Sequence, residues 1–365
     1  MSEVLDRQTE TTTRLRIFDS DIHPTLATAK DLDPFLSAKW RQFIGEYGKA
    51  TTKPFAGRGT YPRFMPNTAR RDSWPPNGKP PGSDLDFMRQ QLLDPYDIEI
   101  GILEPLMDAM LVRNPGLAAA LCSAINDWQI DAFTSKETRL RASIQIPFED
   151  PAAAVAELRR RAPDLSFAQI QLTSGSTEPI GRPRYWPIFE AAEALGMPIG
   201  MHIGGDGGHA PTAGGWPSFY AEDHHRLIHT MQCQVTSMIL EGVFERFPKL
   251  KVLCIEGGFA WAPTLAWRLD RHWEKMRSEV PECRRPPSSY MRENVWFSTQ
   301  PMEEPERPDD LRRVMDFIGW DRIVYASDYP HWDFDDPHTA FPCRLSDAER
   351  RAILRGNGEA LYRLA

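Results

Sequence analysis

With 365 residues, of which 41% are hydrophobic and 26% charged, the chain suits either two average domains or one barrel-sized domain. Its net charge of −8, with no Lys/Arg stripe, argues against nucleic acid as a partner and leaves a small-molecule substrate as the expectation. No apolar run reaches membrane-spanning length, and the polar N-terminus and five scattered cysteines without a CxxC pair favour a cytoplasmic protein without a membrane partner.

Short apolar segments alternate with helix-like segments along most of the chain. The predicted strands are 15–23, 98–105, 140–147, 167–173, 197–203, 251–257, 295–300 and 322–328. The predicted helices between them are 115–134, 151–161, 185–195, 222–247 and 308–317. Parallel neighbours need crossover connections, and eight strands close a (β/α)8 TIM barrel, which is the predicted fold. A doubly wound open sheet is the alternative, but no GxGxxG motif follows the first strand.

We expect a polar tail at 1–14 and a single domain over 15–365, interrupted by a long insertion at about 24–95. The insertion is rich in Gly, Pro and Arg, so it is either disordered or an ordered cap over an active site. Its aromatic residues favour the cap. Near the C-terminus, Ser346 and Glu349 have the spacing of a capping box and mark the start of a final helix.

Polar residues stand at the carboxyl ends of four predicted strands: Asp21 and His23, His202, Glu256, and Asp328. Any one of them alone is also explained as a turn, helix-capping or core residue. Residues i and i+2 of a strand share a face, and the carboxyl ends of barrel strands meet at one mouth. Two histidines and several carboxylates converging there predict a divalent metal site, for Zn²⁺ first and for Mn²⁺ or Fe²⁺ as alternatives.

Further histidines follow the fifth strand in "SFYAEDHHRLIHTMQCQ". They are solvent-facing by default, but His224 or His225 could supply a ligand for a second metal, and we predict His225. The glycine-rich segment "GGDGGHAPTAGGWP" predicts a loop at the mouth in which His209 contacts substrate. Trp332, close to Asp328 in the sequence, is a second predicted substrate contact.

The stretches "DSDIHP", "PIGMHIGG", "GVFERFPKLKVLCIEGGFAWAP", "VYASDYPHWD" and "ILRGNGEALYRL" resemble the amidohydrolase superfamily. More closely, they resemble the amidohydrolase-related branch that contains aminocarboxymuconate-semialdehyde and resorcylate-type decarboxylases. The resemblance implies a (β/α)8 metalloenzyme, by analogy a homodimer. It also implies that Asp21, His23 and His202 are metal ligands, and that Asp328 binds metal and moves a proton.

Decarboxylases of that branch usually have a histidine where this chain has Glu256 at the end of the sixth strand. A carboxylate there would repel an acid substrate unless a metal or Arg neutralises it. We therefore expect a metal-dependent hydrolase of an amide, ester, thioester or activated C–C bond. In that interpretation Asp328 is the base, and His202 and Glu256 assist catalysis. A non-oxidative decarboxylase of an aromatic or enoic acid is the alternative. A dinuclear Fe/Mn oxygenase and a non-catalytic metal-binding subunit are less favoured.

Overall fold

A computed structural model describes residues 15–49, 66–205, 214–215 and 217–364 of the chain. The predicted tail 1–14 and the predicted substrate contact His209 lie outside the described residues. Eight strands are present at the predicted positions, most of them shorter than predicted. They are β1 Ile17–Ile22, β2 Ile98–Leu103, β3 Leu140–Gln145, β4 Phe167–Thr173, β5 Ile199–His202, β6 Val252–Ile255, β7 Val295–Ser298 and β8 Ile323–Val324.

The strands form one parallel sheet in the order β1 to β8. Backbone hydrogen bonds also join its two edges, because the Ser20 amide donates to the Tyr325 carbonyl at 3.0 Å and the His23 amide to the Tyr329 carbonyl at 2.7 Å. A sheet whose edges pair in this way is a barrel, so the predicted (β/α)8 fold is confirmed.

Helices surround the strands and cover their apolar outer faces. They are α1 Ala38–Tyr47, α2 Leu85–Met88, α3 Pro115–Gln129, α4 Pro151–Arg161, α5 Trp186–Leu195, α6 Tyr220–Leu240, α7 Val243–Arg246, α8 Trp261–Met276, α9 Pro287–Asn294, α10 Pro308–Ile318, α11 Asp347–Arg351 and α12 Asn357–Tyr362. The helix predicted over 222–247 is divided, because Gly242 adopts a φ of 75° between α6 and α7. Ser346 caps α11 in the predicted capping box with Glu349. Among the described residues, no helix combines the length and apolar character needed to cross a bilayer.

The barrel interior holds a small apolar cluster that joins strands from opposite sides of the sheet, among them Phe18 of β1 and Leu253 of β6. Ile22 packs instead in the larger cluster between sheet and helices. Strict alternation would place Phe18 and Ile22 on the same face, but the β1–β2 register shifts between Asp19 and Ile22. A bulge of this kind reverses the facing of the residues that follow. It therefore directs Asp21 and His23 to the interior.

Residues 68–70 of the insertion lie against the loop that follows β8. Ala69 forms an antiparallel bridge with His331. The Arg70 amide donates to the Pro330 carbonyl at 3.0 Å, and the Trp332 amide donates to the Thr68 carbonyl at 2.7 Å. We call this pairing of 68–70 with 330–332 the seam. It fixes one side of the insertion to the loop that follows β8.

An ion-pair cluster ties the end of the insertion to the loop before β3. The Glu137 carboxylate accepts hydrogen bonds from Arg89 Nε at 2.8 Å and from Arg139 Nε and Nη2, each at 2.9 Å. The Arg139 hydrogen bonds, with help from Arg89, lower the pKa of Glu137 to about 2. Since this pKa lies below its ordinary value, ionised Glu137 stabilises the folded chain fully above about pH 4.5, and that contribution disappears as the pH falls toward 2.

We predict that Glu137→Gln lowers the free energy of unfolding at pH 7 by about 1–2 kcal/mol, because the partly exposed guanidinium groups are screened by water. The difference from wild type should shrink at pH 3. Urea unfolding at both pH values measures it, and Glu306→Gln at an exposed position is the matched control. Equal loss of stability at both pH values would contradict the predicted role of the charge.

Candidate metal centre

The structure brings five of the predicted site residues together at the carboxyl end of the barrel. Asp21 and His23 come from the end of β1, His202 is the last residue of β5, and Glu256 and Asp328 follow β6 and β8. All five are buried. Their convergence is the geometry that the sequence predicted, and their action as metal ligands stays a prediction.

Backbone carbonyls orient the two histidines of this cluster. His23 Nδ1 lies 2.7 Å from the Glu104 carbonyl oxygen, and His202 Nδ1 lies 2.5 Å from that of Ile203. A carbonyl only accepts, so each Nδ1 carries a hydrogen and each Nε2 is directed into the cluster. Both Nε2 atoms, and both carboxylate oxygens of Asp21, are buried without a hydrogen-bond partner.

These inward atoms also approach other electron-pair donors. His23 Nε2 lies 2.7 Å from Asp328 Oδ1 and 3.2 Å from Asp21 Oδ1. His202 Nε2 lies 2.8 Å from Glu256 Oε2. Buried donor atoms facing one another repel unless a cation or a proton lies among them. Imidazole nitrogens and carboxylate oxygens suit Zn²⁺, Mn²⁺ and Fe²⁺, so the residues present fit a divalent metal ion.

The carboxyl groups of Asp328 and Glu256 are pushed in opposite directions. Burial raises the pKa of Asp328 well above its ordinary value, and the negative charge of Glu256 adds to this effect. Burial would also raise the pKa of Glu256, but the positive charge of His202 and its hydrogen bond outweigh burial and lower it. At neutral pH, Asp328 therefore tends to keep its proton and Glu256 tends to lose its proton. Two neighbouring carboxyl groups in different protonation states commonly have separate catalytic roles.

Two residues that the sequence analysis did not select hold the Asp328 carboxyl group. Gln300 Nε2 donates to Oδ2 at 3.0 Å, and His331 Nδ1 lies 2.6 Å from Oδ1. Burial lowers the pKa of His331 to about 4, which leaves its imidazole neutral. Asp328 has a φ of 60° and Glu256 a φ of 58°. Such left-handed backbone costs about 1–3 kcal/mol in a residue other than glycine, and functional sites tolerate it.

The prediction of His225 as a ligand needs correction. Its side chain is exposed, and its ring lies edge-on to His229 with centroids 5.7 Å apart. His224 turns inward instead, with Nε2 3.6 Å from Glu256 Oε1 and 3.4 Å from Asp333 Oδ2. Successive helical residues point about 100° apart, so only one of the two histidines can face the barrel mouth.

Glu104 is a further buried acid at the site that the sequence analysis passed over. It follows β2, and its Oε2 accepts a hydrogen bond from Gln169 Nε2 at 2.9 Å. Burial raises its pKa to about 8. A charged residue directly after an apolar strand was the available signal, the same signal that selected Glu256.

A cavity of about 250 Å³ opens above the cluster. His202, Glu256 and His331 lie at its base, while Trp332, Tyr220 and Arg226 form part of its wall. Trp332 Nε1 donates to the Tyr220 hydroxyl at 3.1 Å. Trp332 thus reaches the cavity, and its contact with substrate stays a prediction.

Comparison with known proteins gives consistent matches over most of the chain. A family model described as "Amidohydrolase" matches residues 18–364. Gamma-resorcylate decarboxylase from Polaromonas sp. (strain JS666 / ATCC BAA-500) is 26% identical over 302 residues, covering 77% of this chain and 88% of that protein. The 2-amino-3-carboxymuconate-6-semialdehyde decarboxylase of Dictyostelium discoideum is 25% identical over 255 residues, covering 68% and 67%.

A solved structure of 5-carboxyvanillate decarboxylase from Novosphingobium aromaticivorans, complexed with manganese and 4-hydroxy-3-methoxy-5-nitrobenzoic acid, has the same fold. Its TM-score is 0.71 at 18% identity, and the match covers 100% of both chains. At this identity the likeness concerns the fold alone.

Proposed function

The chain belongs to the amidohydrolase family, and from that premise we propose that it is a metal-dependent, non-oxidative decarboxylase of a hydroxylated aromatic carboxylic acid. The prediction of a hydrolase as the main activity is wrong, because the relatives that match are named as decarboxylases. The expected resemblance to the decarboxylase-containing branch is confirmed by the same matches.

The dimensions and lining of the cavity support a single-ring acid as substrate. Its volume of about 250 Å³ is just below the range of roughly 300–1,000 Å³ that is typical of ligand pockets. Trp332 and Tyr220 supply an aromatic wall against which a planar ring can stack. Arg226 is the one Arg or Lys among the described residues that line the cavity, and it already pairs with Asp223, another lining residue, through a hydrogen bond from Nε at 2.6 Å. The metal site is therefore the main source of positive charge for a substrate carboxylate.

Asp21, His23, His202 and Glu256 would hold the metal ion, because their donor atoms lie within 4.8 Å of one another. The bound ion would supply positive charge that offsets the buried carboxylates and attracts an anionic substrate. This charge removes the objection that Glu256 would repel an acid. Manganese in a solved structure of the same fold supports Mn²⁺ as the first ion to test, and Zn²⁺ stays the alternative.

Asp328 is the proposed proton donor. Its carboxyl group, steadied by Gln300 and His331, transfers a proton to the ring carbon that carries the substrate carboxylate. The bond from that carbon to the carboxylate then breaks, CO₂ leaves, and the electron pair of the broken bond restores the aromatic ring. Asp328 regains its proton from solvent. A ring hydroxyl ortho or para to the carboxylate makes the carbon electron-rich enough to accept the proton.

One observation carries this proposal: a buried carboxyl group, that of Asp328, adjoins a histidine–carboxylate cluster beneath a small cavity with an aromatic wall. With the Mn²⁺-loaded enzyme, we expect CO₂ release from ortho- and para-hydroxylated benzoates. Benzoate itself, whose ring lacks the activating hydroxyl, should give none. CO₂ capture and chromatography of the phenol product measure the reaction. Absence of CO₂ from the whole panel would contradict the proposal.

A further inference from the structure

The two carboxylate oxygens of Glu256 face two different histidines. Oε2 lies 2.8 Å from His202 Nε2, on the side of the cluster formed with Asp21 and His23. Oε1 lies 3.6 Å from His224 Nε2. The Glu256 side chain is only 8% exposed. Because its two oxygens face different histidines, Glu256 stands between two neighbouring groups of polar side chains.

Asp333 completes the second group. Its Oδ2 lies 3.4 Å from His224 Nε2, and donor atoms of His224, Glu256 and Asp333 all lie within 4.8 Å of one another. These separations exceed the usual 2.9–3.0 Å of an N–H···O hydrogen bond. They are close to the spacing of about 3.0–3.5 Å between ligand atoms that each lie roughly 2.1 Å from one metal ion.

The balance of charge points the same way. The side chains of Asp21, Glu256, Asp328 and Asp333 are between 0% and 13% exposed. With Asp328 protonated, as its role as proton donor requires, the carboxylates of Asp21, Glu256 and Asp333 carry one negative charge more than a single divalent cation offsets. Uncompensated buried charge costs several kcal/mol per ion. A second cation beside Glu256 and Asp333 would remove that excess.

We propose that Glu256 bridges two divalent cations, the second of which is bound by Glu256, His224 and Asp333. This second site lies at the wall of the cavity, to which all three side chains contribute. There it would contact an anionic group of the substrate other than the one held at the first site, such as a ring hydroxylate. The inference assumes the first metal ion of the proposed function but does not depend on decarboxylation.

The metal content of the purified, Mn²⁺-loaded chain tests the proposal. After removal of unbound ion, elemental analysis should find two equivalents of Mn²⁺ per chain in the wild type. His224→Ala and Asp333→Asn should each retain one. Both side chains are partly exposed, at 21% and 13%, so either variant should fold. His225→Ala, at the adjacent exposed position, is the matched control and should retain two.

Electron paramagnetic resonance supplies a second readout that does not involve turnover. A carboxylate-bridged pair of Mn²⁺ ions is magnetically coupled, whereas His224→Ala should show the hyperfine pattern of an isolated Mn²⁺ ion. One equivalent of uncoupled Mn²⁺ in the wild type, or two equivalents in both variants, would overturn the second site. In that case His224 would act as a protonated partner of the two carboxylates. CO₂ release, measured separately, would still test the proposed function.

Discussion

Asp328→Asn should lower kcat for CO₂ release by at least about 10³-fold, within the range that a positioned general acid contributes. Asparagine is nearly isosteric and can keep the hydrogen bond with Gln300, but its amide has no acidic proton to give to carbon. The effect should therefore fall on kcat and less on KM. Initial rates at saturating Mn²⁺ measure it, together with circular dichroism as a check of folding.

Asp309→Asn, at an exposed position in α10, serves as the control for loss of a carboxylate and should keep full activity. Elemental analysis of Asp328→Asn separates loss of the proton donor from loss of metal. If the variant holds the wild-type metal content and turns over within tenfold of the wild-type rate, Asp328 is not the proton donor.

Removal of the metal ion should lower the rate of CO₂ release by a factor similar to that of Asp328→Asn. Dialysis against dipicolinate should reduce CO₂ release to background, because the carboxylates of Asp21 and Glu256 would then face the substrate uncompensated. Added Mn²⁺ should restore the rate. The chain should also become less stable, since a ligand at about 1,000 times its Kd stabilises the folded state by roughly 4 kcal/mol. Thermal unfolding with and without Mn²⁺ measures this change.

Ca²⁺ is the control cation, because it prefers oxygen ligands, whereas His23 and His202 offer nitrogen. It should restore neither rate nor stability. A chain that is shown by elemental analysis to be free of metal and that still releases CO₂ at the wild-type rate would refute a metal-dependent reaction.

The fold could be predicted because each strand is a short apolar segment followed by a polar or turn residue, and because eight such segments alternate with helices. Strand length was harder to predict. The eighth strand is limited to Ile323–Val324, although "RIVYASD" reads as a longer apolar run. Beyond Val324 the chain instead pairs with residues 20–23 at the end of β1 and with the insertion, and such long-range pairing leaves no local signal in the sequence.

The core of the site was equally visible, because Asp21, His23, His202, Glu256 and Asp328 all interrupt or end apolar strands. The sequence did not indicate which face of α6 points toward the barrel. The choice between His224 and His225 was therefore made without knowing which of them faces the site. Asp333 and Gln300 were missed for a related reason. Polar residues in loops are ordinary, and only their three-dimensional placement next to Glu256 and Asp328 distinguishes them.

The expectation of hydrolysis arose because this chain has Glu256 where decarboxylases of the branch usually have a histidine. Alone, Glu256 would repel a substrate carboxylate, but in the structure it lies 2.8 Å from His202 and within a set of donor atoms that fits a cation. The electrostatic potential that a substrate carboxylate meets depends on all the charges of the cluster, and it cannot be predicted from Glu256 alone.

The seam between residues 68–70 and 330–332 has a consequence for redesign. Main-chain hydrogen bonds fasten the insertion to the segment just after Asp328, so we expect a change in the insertion to displace that segment. Replacing the insertion with that of a homologue, in order to broaden the substrate range, should therefore shift the position of Asp328 and lower the rate of the reaction. The opposite rim, where Leu106 and Thr173 border the cavity, is the better starting point for directed evolution.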